Sequence, residues 1–505
     1  MNTSQSQALF QKTYDYVRET SLLESTLALL EWDEQTGIPA HAAEFRANQV
    51  AFLSGLIHQR ATNCDYGAWL SELANSELAH PSDSPVAASI RGLKRDFDKS
   101  VQLPLDLVTR TARAVTVGQQ IWSLAKPKND YAAFLPILKE IVALRREEAT
   151  ILSKNHACKY DSLLDQYEEH AQSDEIAVVF TELREQLVPL VQRLTNSKSG
   201  PDGKSIAGMF DVAQQQELSK WVATQIGFDF DRGRLDETVH PFCTTLGPHD
   251  HRILTRYFED SFSSGLYGTL HEAGHGLYEQ GLPTEWFGMP AGYAASLGVH
   301  ESQSRLWENM VGRSREFWQW CLPHAQQRFP QLKNVSVDQI FADLNRVEPS
   351  LIRIEADEAT YNLHILLRFE LEKELIDGNL TCEELPSAWG DRYESYLGIR
   401  PKDDREGVMQ DVHWAAGLIG YFPTYTLGNI FAAQLMAAAE TELGDIPAMV
   451  ANGDFAPLLN WLRQHVHSFG SCLKPTDLME KATQSKLSSK PLMAYLTRKL
   501  VPLYG

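Results

Sequence analysis

The sequence predicts a mainly α-helical protein with a small β-sheet. Apolar residues recur at i, i+3 and i+4 over most of the chain, which is the period of a helix with one buried face, and strand-like segments are few and short. With 505 residues, 43% of them hydrophobic, the chain can bury a large core. In chain order, the periodic segments predict helices over residues 8–31, 41–60, 84–100, 104–124, 130–153, 175–195, 211–226, 301–320, 337–347, 355–376, 382–397, 427–442, 454–466 and 476–500.

Three short segments favour extended structure, at residues 237–242, 348–354 and 405–414. The first two lie on either side, in sequence, of a helical segment that contains residues 271–275. We therefore expect a small sheet beside that helix, within a body that is otherwise helical.

The clearest loop is at residues 196–205, where Ser, Gly, Pro and Asp cluster. We find no internal repeat and no low-complexity tract. We predict a single domain over residues 1–505, in which this loop could separate an N-terminal helical half from the rest.

The composition argues against several classes of protein. A formal net charge of −20 would repel the phosphates of nucleic acid. Residues 1–7 are polar, with no basic stretch before an apolar run, so we expect no signal peptide. No segment approaches the roughly 20 apolar residues of a membrane span. The six cysteines are far apart and include no CxxC pair, which predicts free thiols in a cytoplasmic protein.

Residues 271–275 read HEAGH, which matches the HExxH pattern. Histidines at i and i+4 lie on the same face of a helix, so both imidazoles can reach one zinc ion at about 2.0–2.1 Å. Glu272 follows the first histidine and can act on a water at the ion without binding the ion itself. Gly274 and Gly276 each weaken a helix by roughly 1 kcal/mol relative to alanine, so tertiary contacts or a metal must hold the segment.

A third ligand is needed, because catalytic zinc usually keeps three protein ligands and one open position. Glu301 follows Glu272 by 29 residues, and turn residues between them allow a second helix to return beside the first. We therefore predict a site of His271, His275 and Glu301 for Zn²⁺, with Co²⁺ or Mn²⁺ also suited to these ligands. The alternatives are two ordinary surface histidines and a glutamate favoured in the first turn of a helix.

Six further segments match short motifs that occur together in one family of enzymes. They are 32–39 (WDxxTxMP), 240–242 (HPF), 250–254 (DxRxT), 300–303 (HESQ), 352–357 (IRxxAD) and 407–414 (GxxQDxHW). On these motifs the chain resembles the carboxypeptidase Taq family of zinc metallocarboxypeptidases, and the resemblance runs over most of its length. Two segments depart from the family pattern: Ile38 stands where the first motif has methionine, and Leu254 stands where the third has threonine.

The resemblance implies more than the metal site does. It implies a large, saddle-shaped helical fold with a deep groove, and a homodimer. It also implies an enzyme that releases C-terminal amino acids from peptides with a free C-terminus, with broad specificity.

The chemistry of such an enzyme assigns roles to particular residues. Glu272 would be the general base that takes a proton from water. The oxyanion of the reaction needs a donor besides the metal, and Tyr421 and Tyr425 are the best donors on offer, with His240 and His413 as rivals. The alternative for either tyrosine is a core aromatic ring with a satisfied hydroxyl.

A carboxypeptidase also has to hold a free carboxylate. Arginine does this best, because its planar fork gives two parallel charge-assisted hydrogen bonds. Through the resemblance, Arg353 and Arg252 are the candidates, and Gln410 and His413 of the last motif are predicted to contact the substrate. A single arginine without such a context is more often part of a surface ion pair.

Two other functions compete with this hypothesis. One is an HExxH oligoendopeptidase or dipeptidyl carboxypeptidase that acts on short peptides with the same metal chemistry. The other is a non-catalytic helical scaffold with a structural metal. Glu272 argues against the scaffold, since a structural site has no use for a base beside the ion.

Overall fold

The computed structural model describes residues 2–153 and 158–505 of the chain. The structure is 69% helical, which confirms the mainly α-helical class. Within the described residues there are twenty α-helices: α1 Thr3–Thr36, α2 Ala43–Ala61, α3 Cys64–Ala74, α4 Pro85–Gln102, α5 Leu105–Ala125, α6 Tyr131–Leu152, α7 Lys159–Leu164, α8 Ser173–Thr195, α9 Val212–Gln225, α10 Phe262–Glu279, α11 Leu297–Arg305, α12 Arg315–Arg328, α13 Val337–Leu344, α14 Thr360–Asp377, α15 Leu385–Leu397, α16 Pro423–Leu443, α17 Ile446–Ala451, α18 Ala456–His465, α19 Pro475–Thr483 and α20 Lys490–Tyr504.

The described residues divide into two compact units, each made of three separate stretches of chain. The first unit comprises the described residues of Met1–Val101, Gly203–Leu344 and Leu435–Lys486. The second unit comprises the described residues of Gln102–Asp202, Asn345–Gln434 and Leu487–Gly505. One of the boundaries falls inside the predicted loop at 196–205, and the prediction of a single functional domain stays a prediction.

A three-stranded sheet lies in the first unit, made of β1 Gly233–Glu237, β2 Phe242–Gly247 and β3 Asp250–Thr255. The strand order is β1-β3-β2, with β1 parallel and β2 antiparallel to β3.

The sheet packs directly on α10. A Cβ added at Gly276 would lie 3.1 Å from Cγ2 of Ile253, and one at Gly268 would lie 2.6 Å from Oγ1 of Thr255. The predicted small sheet beside the HExxH helix is therefore confirmed, although its strands are not the predicted ones.

All three predicted strand segments are wrong in position. Residues 237–242 are mainly the connection between β1 and β2, and only the two end residues belong to strands. Residues 348–354, all of them described, form irregular structure that leads into a 3₁₀ helix at Arg353–Glu355, and residues 405–414, also described, form turns. In residues 405–414, the Gly407 amide donates to the backbone oxygen of Asp403 over 3.1 Å. This amide is therefore bonded within a turn and not to a neighbouring strand.

Two predicted helices are each divided in the structure. The segment 301–320 contains the end of α11, a π-helix at Leu306–Val311 and the start of α12. A new N-terminus forms there because the Ser314 hydroxyl accepts a hydrogen bond from the Phe317 amide over 3.0 Å. The segment 476–500 is divided between α19 and α20, since Gln484 takes a left-handed conformation with φ of 52°.

The three short helices α3, α7 and α17 were not predicted. They have 6 to 11 residues, too few for a clear helical period. Among the described helices, none combines the length and apolar character that crossing a membrane requires.

Candidate metal centre

The HExxH segment lies in α10, a helix that is buried along most of its length. The apolar positions around the motif, Leu266, Leu270 and Leu277, are at most 1% exposed. Burial on several sides supplies the tertiary contacts that the glycines of this segment require.

Gly274 allows α11 to approach α10 closely. A Cβ at this position would lie 2.6 Å from the backbone oxygen of Gln303 and 2.6 Å from Cα of Ser304. Real Cβ atoms do not come that near to a backbone, so this packing requires glycine. The approach brings Glu301 of α11 to the face of α10 that carries the two histidines.

His271, His275 and Glu301 converge on one point. Their candidate ligand atoms all lie within 4.8 Å of one another. Nε2 of His275 is 3.4 Å and Nε2 of His271 is 3.7 Å from Oε2 of Glu301. Ligands of a tetrahedral ion at about 2.0–2.1 Å are about 3.3 Å apart, so these separations suit one shared ion. The three residues predicted as ligands are brought together.

Glu308 contacts the Nδ1 side of His271 and lies in the π-helix that follows α11. Its Oε2 is 2.9 Å from Nδ1 of His271. A carboxylate in that place accepts the Nδ1–H and so directs the lone pair of Nε2 toward Glu301. π-Helical turns are common at functional sites, and here the turn carries the residue that orients a histidine.

Arg305 joins the two carboxylates. Its Nε donates to Oε1 of Glu301 over 2.7 Å, and its Nη1 donates to Oε2 of Glu308 over 3.2 Å. Burial on its own would raise the pKa of both carboxyls, but Arg305, together with His271, outweighs it. The pKa of Glu308 is lowered to about 2, and that of Glu301 is held well below its ordinary value. Both groups are therefore carboxylates at neutral pH.

A longer chain of hydrogen bonds begins at Nδ1 of His275. Its Nδ1 is 2.5 Å from Nδ1 of His300, and Nε2 of His300 is 2.9 Å from Oε1 of Glu279. The Thr245 hydroxyl donates to Oε2 of Glu279 over 2.8 Å. His275 is thus connected through a second imidazole to a half-buried carboxylate, and onward to strand β2.

The two candidate histidine ligands differ in proton affinity. Burial lowers the pKa of His275 to about 3, and the neighbouring His300 acts in the same direction. Burial would also lower the pKa of His271, but Glu301 and Glu308 outweigh it and raise the pKa above its ordinary value. His275 is therefore neutral at neutral pH, which is the form that binds metal.

Glu272 is 5% exposed and lies next to His271 on α10. Burial raises its pKa to about 7, and the negative charge of Glu301 adds to the shift. A carboxyl with a pKa near the working pH can both accept and return a proton. This property matches the role that the sequence predicted for Glu272.

Arg353 lies in the second unit, in a cluster of buried charges. Its Nη2 donates to Oδ1 of Asp411 over 2.9 Å, and Nε of Arg368 donates to Oδ2 over 2.7 Å. Burial would raise the pKa of Asp411, but the two guanidinium groups outweigh it and hold the pKa well below its usual range. Two arginines thus share one carboxylate, and the three residues together carry one positive charge.

Gln410 and His413 lie beside this cluster. Gln410 accepts from the Arg353 amide over 2.9 Å and donates to the backbone oxygen of Glu406 over 2.8 Å, so its amide helps to hold the fold of the second unit. Burial lowers the pKa of His413 to about 4. Its Nδ1 is buried and finds no hydrogen-bond partner among the described residues.

Tyr421 and Tyr425 also lie near His413. Nε2 of His413 is 3.3 Å from the Tyr425 hydroxyl, and the rings of the two tyrosines are 5.4 Å apart. Both tyrosines are half-buried. Their role as donors to the oxyanion stays a prediction.

The remaining two predicted site residues lie in the first unit. His240 is exposed in the connection between β1 and β2. Arg252 of β3 forms two bonds with Asp250, of 2.9 and 2.8 Å, and stacks on Trp32 of α1 at 4.2 Å. On β3, Arg252 alternates with Ile253, which packs on α10, so it lies on the other face of the sheet. Its role in binding substrate stays a prediction.

Sequence reasoning missed the residues that orient the ligands. Glu279 follows His275 by four residues and Arg305 follows Glu301 by four, so a helical wheel places each beside a ligand. That signal was available in the sequence. Glu308 could not be found in this way, because the π-helix changes its register relative to α11.

Comparison with known proteins adds a family relationship. The family model for carboxypeptidase Taq (M32) metallopeptidases matches residues 12–500. The chain is 45% identical to thermostable carboxypeptidase 1 of Thermus thermophilus, over 99% of each chain. It is 36% identical to carboxypeptidase 1 of Bacillus subtilis, over 97% of this chain and 98% of that protein. The crystal structure of the M32 carboxypeptidase from Deinococcus radiodurans R1 superposes with a TM-score of 0.95 at 39% identity, covering 99% of this chain and 100% of that one.

Proposed function

This chain belongs to the carboxypeptidase Taq (M32) family of metallopeptidases, and from that premise we propose that a zinc ion held by His271, His275 and Glu301 is its catalytic metal. The chain is a metal-dependent carboxypeptidase, and so a peptide hydrolase. The observation that carries the zinc proposal is the convergence of the three ligand atoms within 4.8 Å of one another.

The donor set fits a catalytic ion better than a structural one. Two imidazoles and one carboxylate leave a fourth position open for water or substrate. Both histidines direct Nε2 toward Glu301, while each Nδ1 meets another side chain. Co²⁺ and Mn²⁺ accept the same donors, so either could support activity after exchange.

The chemistry divides between the metal and the protein. When bound, a divalent ion supplies Lewis acidity, which polarises the scissile carbonyl and makes a water more acidic. Glu272 accepts the proton of the attacking water and then delivers it to the leaving amine nitrogen. A pKa of about 7 lets Glu272 do both near neutral pH. Tyr421 and Tyr425 are our proposed donors to the oxyanion, with His240 and His413 as rivals.

We propose Arg353 as the residue that binds the C-terminal carboxylate of the peptide. Its cluster with Arg368 and Asp411 has one positive charge in excess, which favours an anion. Arg252 instead forms a one-to-one pair with Asp250, so its charge is already balanced. Gln410 and His413, beside the cluster, are proposed to contact the same end of the substrate.

The finer aspects of the function are proposals as well. We propose broad specificity for peptides with a free C-terminus, and a homodimeric assembly. A cytoplasmic location is supported by the six cysteines, all of which are free thiols. The net charge of −20 argues against nucleic acid as a partner.

A single peptide in two forms tests this function against the endopeptidase alternative. The purified protein is incubated with the peptide carrying either a free or an amidated C-terminus, and the products are identified by mass. We expect a ladder of single-residue losses from the free form and little reaction with the amidated form. Equal internal cleavage of both forms would overturn the proposal in favour of an endopeptidase. Chelation should stop the reaction, and zinc should restore it.

A further inference from the structure

The hydrogen-bond chain behind His275 has a direction that the donor and acceptor atoms determine. Glu279 is half-buried, and loss of solvent alone would raise its pKa, but the bonds from His300 and Thr245 outweigh this effect and lower the pKa. Glu279 is therefore a carboxylate and can only accept. Since it accepts from Nε2 of His300, that nitrogen carries the hydrogen.

The tautomers of His300 and His275 are coupled. Nε2 of His275 faces Oε2 of Glu301, so binding a metal through the lone pair of that nitrogen places the hydrogen of His275 on Nδ1 and makes Nδ1 of His300 the acceptor. The ring planes of His275 and His300 are inclined by 27° and their centroids are 4.4 Å apart. Their Nδ1 atoms are only 2.5 Å apart, so the rings meet nearly edge to edge. Nδ1 of His275 must donate in this contact, and its Nε2 keeps the lone pair.

We propose that Glu279 and His300 are positioning residues for the metal site, which hold His275 as the Nδ1–H tautomer and direct its Nε2 lone pair to the ion. This inference rests on the proposed metal centre and deepens it. A carboxylate, Glu308, contacts His271 directly, whereas a carboxylate acts on His275 through a second imidazole. In both histidines Nδ1–H is therefore held by a hydrogen bond and Nε2 is directed to the ion, directly by Glu308 for His271 and through His300 for His275.

The surroundings of Glu279 provide a matched control for its substitution. Glu279, Thr245 and His251 line a cavity of about 250 Å³ in the first unit. Oγ1 of Thr245 is 3.1 Å from Nδ1 of His251, so the chain reaches the cavity wall. Glu24 of α1 lines the same cavity but belongs to no bond of this chain, and it therefore provides a matched control.

Two pairs of variants separate hydrogen bonding from charge and from packing. Glu279→Leu removes the acceptor, whereas Glu279→Gln keeps an amide oxygen that can accept from His300. His300→Phe keeps a ring but removes both nitrogens, whereas His300→Gln keeps an acceptor and a donor. Glu24→Leu removes a carboxylate from the same cavity. The dissociation constant of zinc is measured for each by competition with a chromophoric chelator, after thermal melting has verified the fold.

We expect Glu279→Leu and His300→Phe to weaken zinc binding about 10- to 100-fold. Glu279→Gln should stay within about threefold of the native protein, His300→Gln should recover part of the loss, and Glu24→Leu should have native affinity. Native affinity in Glu279→Leu and His300→Phe would overturn the proposal. An equal loss in Glu279→Gln and Glu279→Leu would also overturn it, because charge rather than hydrogen bonding would then be responsible.

An NMR spectrum of the native protein gives a second test, and this test does not depend on the folding of any variant. In zinc-loaded protein with ¹⁵N-labelled histidine, the ring nitrogens of His275 should report Nδ1–H with a metal at Nε2. The reverse assignment would overturn the proposal. Neither result touches the proposed function, which depends on zinc-dependent release of C-terminal residues by the native enzyme.

Discussion

Substituting Gly274 by alanine should damage the metal site, although it leaves every ligand in place. Gly274 lies between the two histidines on α10. A Cβ there would be 2.6 Å from the backbone oxygen of Gln303 and 2.6 Å from Cα of Ser304. Both are backbone atoms of α11, so no side chain can rotate to make room. The two helices have to separate instead.

The size of the required movement follows from the contact distances. Ordinary contact begins at 3.4 Å, so α11 has to withdraw by about 0.8 Å. Glu301 lies two residues before Gln303 in the same helix and moves with it. Metal–ligand distances tolerate only about 0.2 Å, so we expect zinc to bind at least tenfold more weakly. Helix propensity predicts the opposite sign, because alanine stabilises a helix by about 1 kcal/mol relative to glycine.

Zinc affinity, measured by competition with a chelator, checks this prediction. Gly55→Ala in α2 is the matched control, because a Cβ at Gly55 meets nothing within 4 Å. That variant should bind zinc like the native protein and melt at the same or a higher temperature. If Gly274→Ala folds normally and binds zinc with native affinity, close approach of the two helices does not place Glu301, and the reasoning is wrong.

Three further predictions concern single residues. Glu272→Gln should keep zinc, as measured by elemental analysis, and lose about 10²- to 10⁴-fold in kcat; retained activity would exclude it as the base. Arg353→Lys should raise KM for peptides with a free C-terminus because a lysine cannot hold Asp411 through two N–H groups, as Arg353 does, and also bind the substrate carboxylate. Arg252→Lys should leave KM unchanged; equal effects of the two changes would argue against our choice of anchor. Asp411→Asn should lower the free energy of unfolding by about 3–5 kcal/mol at pH 7, since it leaves two buried arginines without their carboxylate. The folded-state pKa of Asp411 is depressed, so its contribution is present above its ordinary pKa of 3.8 and is lost as the pH falls below it; denaturant unfolding of the native protein and the variant should therefore differ less at pH 3 than at pH 7, and an unchanged difference would contradict the assignment.

The helices and the three candidate metal ligands could be predicted from the sequence because their signals are local. HExxH is a spacing within one helix, and Glu301 follows at the start of the next predicted helix. Helical period is likewise a property of neighbouring residues. Most of the predicted helices correspond to helices of the structure for this reason, with boundaries that differ by a few residues.

The strands and the groups that orient the ligands depend on distant or irregular contacts. A strand needs a partner, and β1 pairs in parallel with β3, although β2 lies between them in sequence. No local pattern in the sequence reveals such a pairing. Glu308 reaches His271 only because a π-helix interrupts the helical register. Gly274 was recognised as costly for a helix, but the backbone that it contacts became known only from the fold.

Arg353 was predicted to bind the substrate carboxylate only through the resemblance to a family, and that role stays a proposal. Arg353 and Asp411 are 58 residues apart in sequence, and neither lies in a periodic pattern that would pair them. The structure adds the reason for favouring Arg353 over Arg252, namely the excess positive charge contributed by Arg368. That charge balance depends on which side chains meet, and spacing alone does not reveal it.

The central claim is that His271, His275 and Glu301 together hold one catalytic ion. Anomalous diffraction at the zinc absorption edge, from crystals of the zinc-loaded protein, tests it most directly. We predict one strong peak at about 2.0–2.2 Å from Nε2 of both histidines and from a carboxylate oxygen of Glu301. A peak bonded to other residues, or no peak within bonding distance of these three atoms, would contradict the account.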